Sequence, residues 1–249
     1  MKFPLPAIIA HRGASHRAPG NTLAAFKLAW EEGADGIEGD FHLTRDGQIV
    51  CIHDADTKRS TGVKRVVART DWKELAQLDA GSWKGPGFAG ERLPLLSRVL
   101  DLLPVDKFFF IEIKCGCEII PALAGLLADR RADPRRVMII ASDPEVVSVC
   151  RTRLPAFEAH WISELEDFAR EGGPDACLRT LESSHATGLQ FKSNAPVAPE
   201  WIAALRARGM KTAAWIVDDL PTARRVMAIG VDFMTTNHPA RLRAWLNRR

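Results

Sequence analysis

Three short segments set polar side chains at the ends of apolar runs. His11-Arg12-Gly13 follows the run at 7–10; Glu38 and Asp40 lie in 36–41, with His53-Asp54 shortly downstream; Glu112 and Lys114 follow three phenylalanines at 108–110. These residue types suit a definite chemistry. Histidine titrates near neutral pH, so His11 and His53 can each give or take a proton. Arg12 and Lys114 offer fixed positive charge to an anion. Side chains alternate along a strand, so Glu38 and Asp40 share one face while Ile37 and Gly39 share the other; Glu112 and Lys114 are set against Ile111 and Ile113 in the same way. Acids from neighbouring strands would then converge, and three bare carboxylates close together repel strongly. A hard divalent cation, Mg²⁺ or Ca²⁺, removes the conflict by all-oxygen ligation. Barrel Arg and Lys could remove it by salt bridges instead, and the residues alone leave both arrangements open.

The elements that must carry these residues repeat along the chain. Strand candidates fall at 7–10, 36–41, 107–113, 136–140, 158–162, 188–191, 211–217 and 232–235. Amphipathic stretches lie between them, at 22–32, 97–103, 118–130, 144–153, 165–171 with 175–185, 199–208, 220–229 and 239–247. Strand and helix alternating to a count of eight predicts a (β/α)8 TIM barrel of the α/β class. No linker rich in Gly, Ser or Pro divides the chain, so residues 1–249 read as a single domain. One segment interrupts the rhythm, an insertion at 42–106 between the second and third barrel strands. It opens with a hairpin turn at Thr44-Arg45-Asp46-Gly47, continues as a strand at 48–52, and contains a short helix at 71–77 and a Gly/Pro-rich passage at 81–88. An insertion after a barrel strand sits on the C-terminal face, where barrel active sites are built, and so predicts a substrate-covering element.

Composition narrows the function classes. A net charge of +3 with Lys and Arg scattered among Asp and Glu argues against nucleic acid as a partner. Five cysteines, an odd number with no zinc-knuckle spacing, predict reduced thiols. His11 follows the N-terminus too closely to leave room for a removable signal peptide, and no run approaches the roughly 18 apolar residues of a membrane span. The expectation is a cytoplasmic protein without stable membrane insertion. Nothing in the sequence indicates an oligomeric state.

In linked motifs spread over nearly the whole chain, the sequence resembles the glycerophosphodiester phosphodiesterases, particularly their short bacterial cytoplasmic type. The motifs are AHRG at 10–13, a proline and Asn-Thr at 19–22, GADGIEGD at 33–40, LTRDG at 43–47, IHD at 52–54, LDAGSW at 78–83, FAGERLP at 88–94, IEIK at 111–114, and W-x-V followed by GVD across 215–232. The resemblance implies hydrolysis of a small-molecule glycerophosphodiester to glycerol 3-phosphate and an alcohol, assisted by one divalent cation, Mg²⁺ or Ca²⁺. It implies that His11 and His53 are the catalytic pair, that Glu38, Asp40 and Glu112 ligate the metal, and that Arg12 and Lys114 contact phosphate. It also places Trp215 beside the substrate pocket. His53 is taken as base and His11 as acid, with water or the glycerol 2-hydroxyl as nucleophile.

The sequence departs from the family pattern at several points. Gly20 stands where Glu is usual, which would weaken cation affinity or loosen His11; Gly39 replaces a bulky apolar residue and would thin packing against a helix or open space; Asn237 stands where Asp is common; and Cys115 follows Lys114 in place of a frequent proline. Gly20 motivates an alternative, a barrel that binds a phosphorylated ligand without turnover. A lipid-directed relative, acting on lysophospholipids as a lysophospholipase D or forming a cyclic phosphate as a lyase, is a second alternative. Of the other histidines, His42 is expected to hydrogen-bond at the barrel rim, and His16, His160, His185 and His238 to be structural or solvated.

Overall fold

The predicted alternation closes into a ring in the computed structural model, which describes residues 5–170 and 172–247. Its strands are β1 (Ala7–His11), β2 (Gly36–Leu43), β3 (Ile49–Cys51), β4 (Phe108–Ile113), β5 (Val137–Ala141), β6 (Glu158–Ser163), β7 (Gly188–Lys192), β8 (Lys211–Trp215) and β9 (Phe233–Thr236). All but β3 pair in parallel in the order β1, β2, β4 through β9, and β9 returns to β1. The chain therefore forms a (β/α)8 barrel with an insertion after its second strand. The third strand stands outside the ring, antiparallel to β2 through the pairs Phe41 with Cys51 and Leu43 with Ile49. The turn joining them is the expected one: Gly47 donates to the Thr44 carbonyl and takes a positive φ of 78°.

Helices connect the ring strands and begin where the sequence supplies caps. Thr22, Asp143 and Asp219 each accept a hydrogen bond from a backbone N–H in the first turn of the helix that follows. The helix expected at 118–130 opens as a 3-10 turn at Cys117–Ile119 before Ile120–Asp129. The short helix expected at 71–77 spans only Trp72–Leu75. Residues 166–169 of the stretch expected to be helical at 165–171 form turns, with Leu165 at a φ of 56°, and residue 171 lies outside the described residues. Leu165 and Phe168 are nonetheless buried in the outer core, beside Cys177 and Leu181 of the next helix, which starts at Gly173.

The alternation of side chains produces two apolar layers. Ile37, Ile111, Ile113 and Ile139 face the helices in the large outer core. Ile9, Phe110, Met138, Ile140, Ala213 and Phe233 fill the barrel interior. Phe233 meets Phe108 and Phe110 edge-on at 5.4 and 5.1 Å between ring centroids. This apolar packing plugs the lower barrel, and the inward positions above it are polar. Gly39 opens no gap. On the helix-facing side, a Cβ there would stand 3.1 Å from Phe26 Cζ and 3.3 Å from Cys51 Sγ, so those side chains occupy the space expected to be thin.

The insertion carries its own small core of Val50, Ile52, Val67, Leu75, Ala80 and Leu93. Strand β3 joins the two regions, with Ile49 and Cys51 on the large core and Val50 and Ile52 on the small one. Lys84 Nζ ties the insertion back to the first loop by donating to the Ser15 carbonyl at 2.7 Å.

Candidate active site

Three ring strands bring the predicted acids together. Register places His11 beside Glu38 and Asp40 beside Glu112. Ligand oxygens of Glu38, Asp40 and Glu112 lie within 4.8 Å of one another, the only such His/Cys/Asp/Glu cluster among the described residues. Asp40 is fully buried and Glu38 nearly so, and crowding shows in their chemistry. Burial, then the charges of Asp40 and Glu112, push the Glu38 carboxyl well above the usual range; burial and Asp40 push Glu112 upward.

Cations from the protein meet only part of this charge. Lys114 Nζ lies 2.7 Å from Glu112 Oε1 and 3.8 Å from Asp40 Oδ1; Arg12 Nε lies 2.9 Å from Asp40 Oδ2. The Lys114 ammonium is stabilised: burial opposes its charge, but Glu112 and Asp40 outweigh that and raise its pKa. The salt-bridge arrangement left open by the residues is thus partly realised. Glu38 Oε1 and Asp40 Oδ1 nevertheless remain buried with no hydrogen-bond partner. Unpaired buried carboxylate oxygens converging on one point, with two protein cations for three acids, fit a hard divalent ion.

The first loop holds this geometry through its backbone. Arg12 takes a φ of 57° and its N–H donates to Glu38 Oε2 at 2.9 Å. Gly13 follows at a φ of 79°, where a Cβ would stand 2.5 Å from the Ala25 carbonyl carbon, so only glycine fits. Asn21, also left-handed at a φ of 63°, donates from Nδ2 to Asp40 Oδ2 at 2.7 Å and accepts at Oδ1 from the Asp40 N–H.

The two histidines face the same space from different supports. His11 Nδ1 lies 2.8 Å from Asn237 Oδ1, and Asn237 Nδ2 donates to Asp218 at 2.6 Å. His11 Nε2 points toward the acids, 4.0 Å from Glu38 Oε2. Burial, aided by the Arg12 charge, lowers the His11 pKa to about 4, so the ring is neutral at neutral pH. His53 Nδ1 lies 2.7 Å from Asp54 Oδ1, and Arg59 clamps Asp54 through both oxygens. Those Arg59 hydrogen bonds hold the Asp54 carboxyl well below the usual range.

Both imidazoles and Arg12 border two lobes of one cleft. A lobe of about 510 Å³ contains Glu38, Glu112, Lys114 and Trp215; another of about 380 Å³ runs beneath the insertion past Ile52, Leu93 and Trp83. The eight predicted site residues therefore come together, Asp40 reaching the cleft only through its buried contacts. The insertion covers one lobe, as expected from its place after β2.

Sequence reasoning missed the residues that support the site. Asn21 and Asn237 were visible only as members of motifs, and Asp218, Gln190 and Thr235 carried no signal of their own. Gly20 was expected to weaken cation affinity or loosen His11; the ring is held by Asn237 from the opposite end of the chain. His42 behaves as expected, its Nε2 lying 3.1 Å from the His53 carbonyl. His160 is fully buried within β6, with Nε2 3.2 Å from Glu158. All five cysteines are free thiols.

The chain is similar to known proteins over most of its length. Residues 11–241 match the glycerophosphoryl diester phosphodiesterase family. The chain is 34% identical to a glycerophosphodiester phosphodiesterase of Caldanaerobacter subterraneus subsp. tengcongensis, over 94% of this chain and 95% of that one. It is 24% identical to a lysophospholipase D of Mus musculus, over 96% of this chain and 85% of the other. In three dimensions it is similar to a phosphodiesterase of Oleispira antarctica in complex with the product sn-glycerol-3-phosphate. That match has a TM-score of 0.87 and 26% identity, covering 98% of this chain and 97% of the other.

Proposed function

The chain belongs to the glycerophosphoryl diester phosphodiesterase family, and from that premise we propose that it hydrolyses glycerophosphodiesters to glycerol 3-phosphate and an alcohol with the aid of one divalent cation. The observation that carries this reading is the meeting of two differently supported imidazoles with three converging carboxylates in one cleft. Glu38, Asp40 and Glu112 would hold Mg²⁺ or Ca²⁺, which when bound neutralises charge on the non-bridging phosphate oxygens. Arg12 and Lys114, at the rim of the same acids, add positive charge toward the phosphate.

The hydrogen-bond partners favour a division of labour opposite to the one expected from sequence. His11, neutral and with Nδ1 engaged by Asn237, presents the Nε2 lone pair to the cleft and takes the proton of the nucleophile, either water or the glycerol 2-hydroxyl. His53, whose Nδ1 faces the Asp54 carboxylate, carries the proton to the departing alkoxide from Nε2. A neutral amide suits a ring that accepts a proton, and a carboxylate suits one that hands a proton on.

Incubation with glycerophosphocholine or glycerophosphoethanolamine across a panel of divalent metals, following glycerol 3-phosphate release, tests the proposal. Turnover that requires metal is expected, and its absence with every metal would leave only a phospho-ligand-binding barrel. A lysophospholipid in the same assay tests the lipid-directed reading, which the 55% exposed Trp83 at the cleft edge favours; phosphorus NMR distinguishes a cyclic product.

A further inference from the structure

Behind the Nδ1 edge of His11, the ends of β1, β9 and β8, neighbours in the ring, build a short chain of hydrogen bonds. The segment leaving β8 stays beside β9, Val217 N–H donating to the Thr235 carbonyl at 2.9 Å, so Asp218 meets the residues that follow. Its Oδ1 accepts from the Thr236 hydroxyl and from the Asn237 N–H, both at 2.8 Å, and its Oδ2 accepts from Asn237 Nδ2 at 2.6 Å. Asn237 Oδ1 in turn accepts from Ser15 Oγ at 2.8 Å and lies 2.8 Å from His11 Nδ1. Three side chains thus bond the amide among the described residues. The Ser15 hydroxyl and a neutral imidazole can each donate or accept, so both would tolerate the amide turned end for end. The Asp218 carboxylate only accepts. It holds Nδ2 toward itself and Oδ1 toward the ring, and His11 Nδ1 must carry a proton to meet that oxygen. The acids pull the other way. Glu38 Oε2, 4.0 Å from Nε2, favours a proton on that nitrogen, and a neutral ring protonated there has no lone pair to offer the cleft.

We propose that Asp218 is a positioning residue that fixes the tautomer of His11 through the Asn237 amide, keeping the Nε2 lone pair free for the proton of the nucleophile. The proposal rests on the reading of His11 as proton acceptor given above. It concerns which nitrogen of an uncharged ring bears the proton, and not whether the ring is charged. A carboxylate placed directly on Nδ1 would set the same tautomer but would also favour the charged ring. One amide between them transmits the direction and weakens that second effect.

Asp218→Asn keeps the shape of the side chain and removes its restriction to accepting. The Thr236 hydroxyl and the Asn237 N–H still call for an acceptor at Oδ1, so the substituted side chain turns its NH2 toward Asn237. The Asn237 amide must then turn as well and present Nδ2 to His11. Nitrogen NMR of the full chain, isotope-labelled at histidine and measured at pH 8 with Mg²⁺, reads the outcome; the His11 signals are those missing from His11→Ala. The wild-type ring is expected to carry its proton on Nδ1 and the Asp218→Asn ring on Nε2. Turnover of glycerophosphocholine should fall about 100-fold in kcat, with KM nearly unchanged. The reciprocal exchange, Asp218→Asn together with Asn237→Asp, returns an acceptor to Nδ1. It should restore the wild-type tautomer and bring kcat back to within about 10-fold at pH 8, and it can be read even if the single variant does not fold. A proton on Nε2 in the wild type, an unchanged tautomer in Asp218→Asn, or no return of the tautomer in the reciprocal exchange overturns the proposal, whether or not the protein turns over the diester. A tautomer that moves while kcat does not would uphold the role of Asp218 and overturn His11 as the proton acceptor.

Discussion

His11 and His53 face one cleft, yet the regions behind them differ in kind. His11 closes β1 inside the ring, and its partners Asn237 and Asp218 follow β9 and β8. His53 stands on the insertion, and its partners Asp54 and Arg59 are near neighbours in sequence at a half-open surface. The barrel side offers burial and a neutral amide. The insertion side offers a carboxylate already fixed by an arginine. One residue type thus meets two different surroundings, which under the proposed mechanism direct the two rings to opposite roles.

The largest effects should come from removing the rings. His11→Ala and His53→Ala are each expected to reduce kcat by about 10³–10⁴-fold. They should part company with leaving group: a p-nitrophenyl diester, which departs without a proton, should recover most of the loss in His53→Ala and little of it in His11→Ala. Equal recovery in both would break the proposed division. Next comes the support on the insertion. Asp54→Asn should lower kcat about 100-fold with natural substrates, since it removes the charge facing the ring that carries the proton. A smaller effect is expected from Asn237→Asp. A carboxylate there favours the protonated form of His11 and moves its pKa up from about 4, so the acid limb of the kcat/KM profile shifts to higher pH and activity at pH 5 drops several-fold relative to pH 8. An unmoved limb would show that His11 does not act as the base.

The smallest effect concerns stability. The folded Glu38 carboxyl titrates above its unfolded value, so the folded chain binds more protons; that contribution is present at low pH and lost as pH rises through the folded value. Glu38→Gln should therefore raise the melting temperature of the metal-free protein by a few degrees at pH 8 and hardly at all near pH 4. A destabilised variant at pH 8 would show that the acids are already compensated.

The barrel was legible because its signals are local and repeated: short apolar runs, caps at Thr22, Asp143 and Asp219, and polar residues at the strand ends. Strand parity sufficed to turn Glu38, Asp40 and Glu112 toward one another. What the sequence hid were contacts made across the ring. His11 and Asn237 lie 226 positions apart, and no periodicity joins them. Gln190 and Thr235 looked like ordinary strand residues; only closure of the barrel shows that both line the cleft with Gln190 Nε2 and Thr235 Oγ1 lacking a hydrogen-bond partner among the described residues. The proposed roles of the two histidines rest likewise on their partners and not on their motifs. The helix expected at 165–171 failed because its apolar residues are buried without one: Leu165, at a φ of 56°, and Phe168 reach the outer core from a run of turns.

The small core of the insertion has one more implication. Ile52 belongs to it, and His53 is the next residue, while the ring draws on a far larger apolar core. A cluster of six side chains opens more readily than the ring that supports it. On warming, the insertion should loosen first and carry the second imidazole out of reach while the eight strands stay closed. The catalyst would then fall silent several degrees before the fold melts, and recover on cooling.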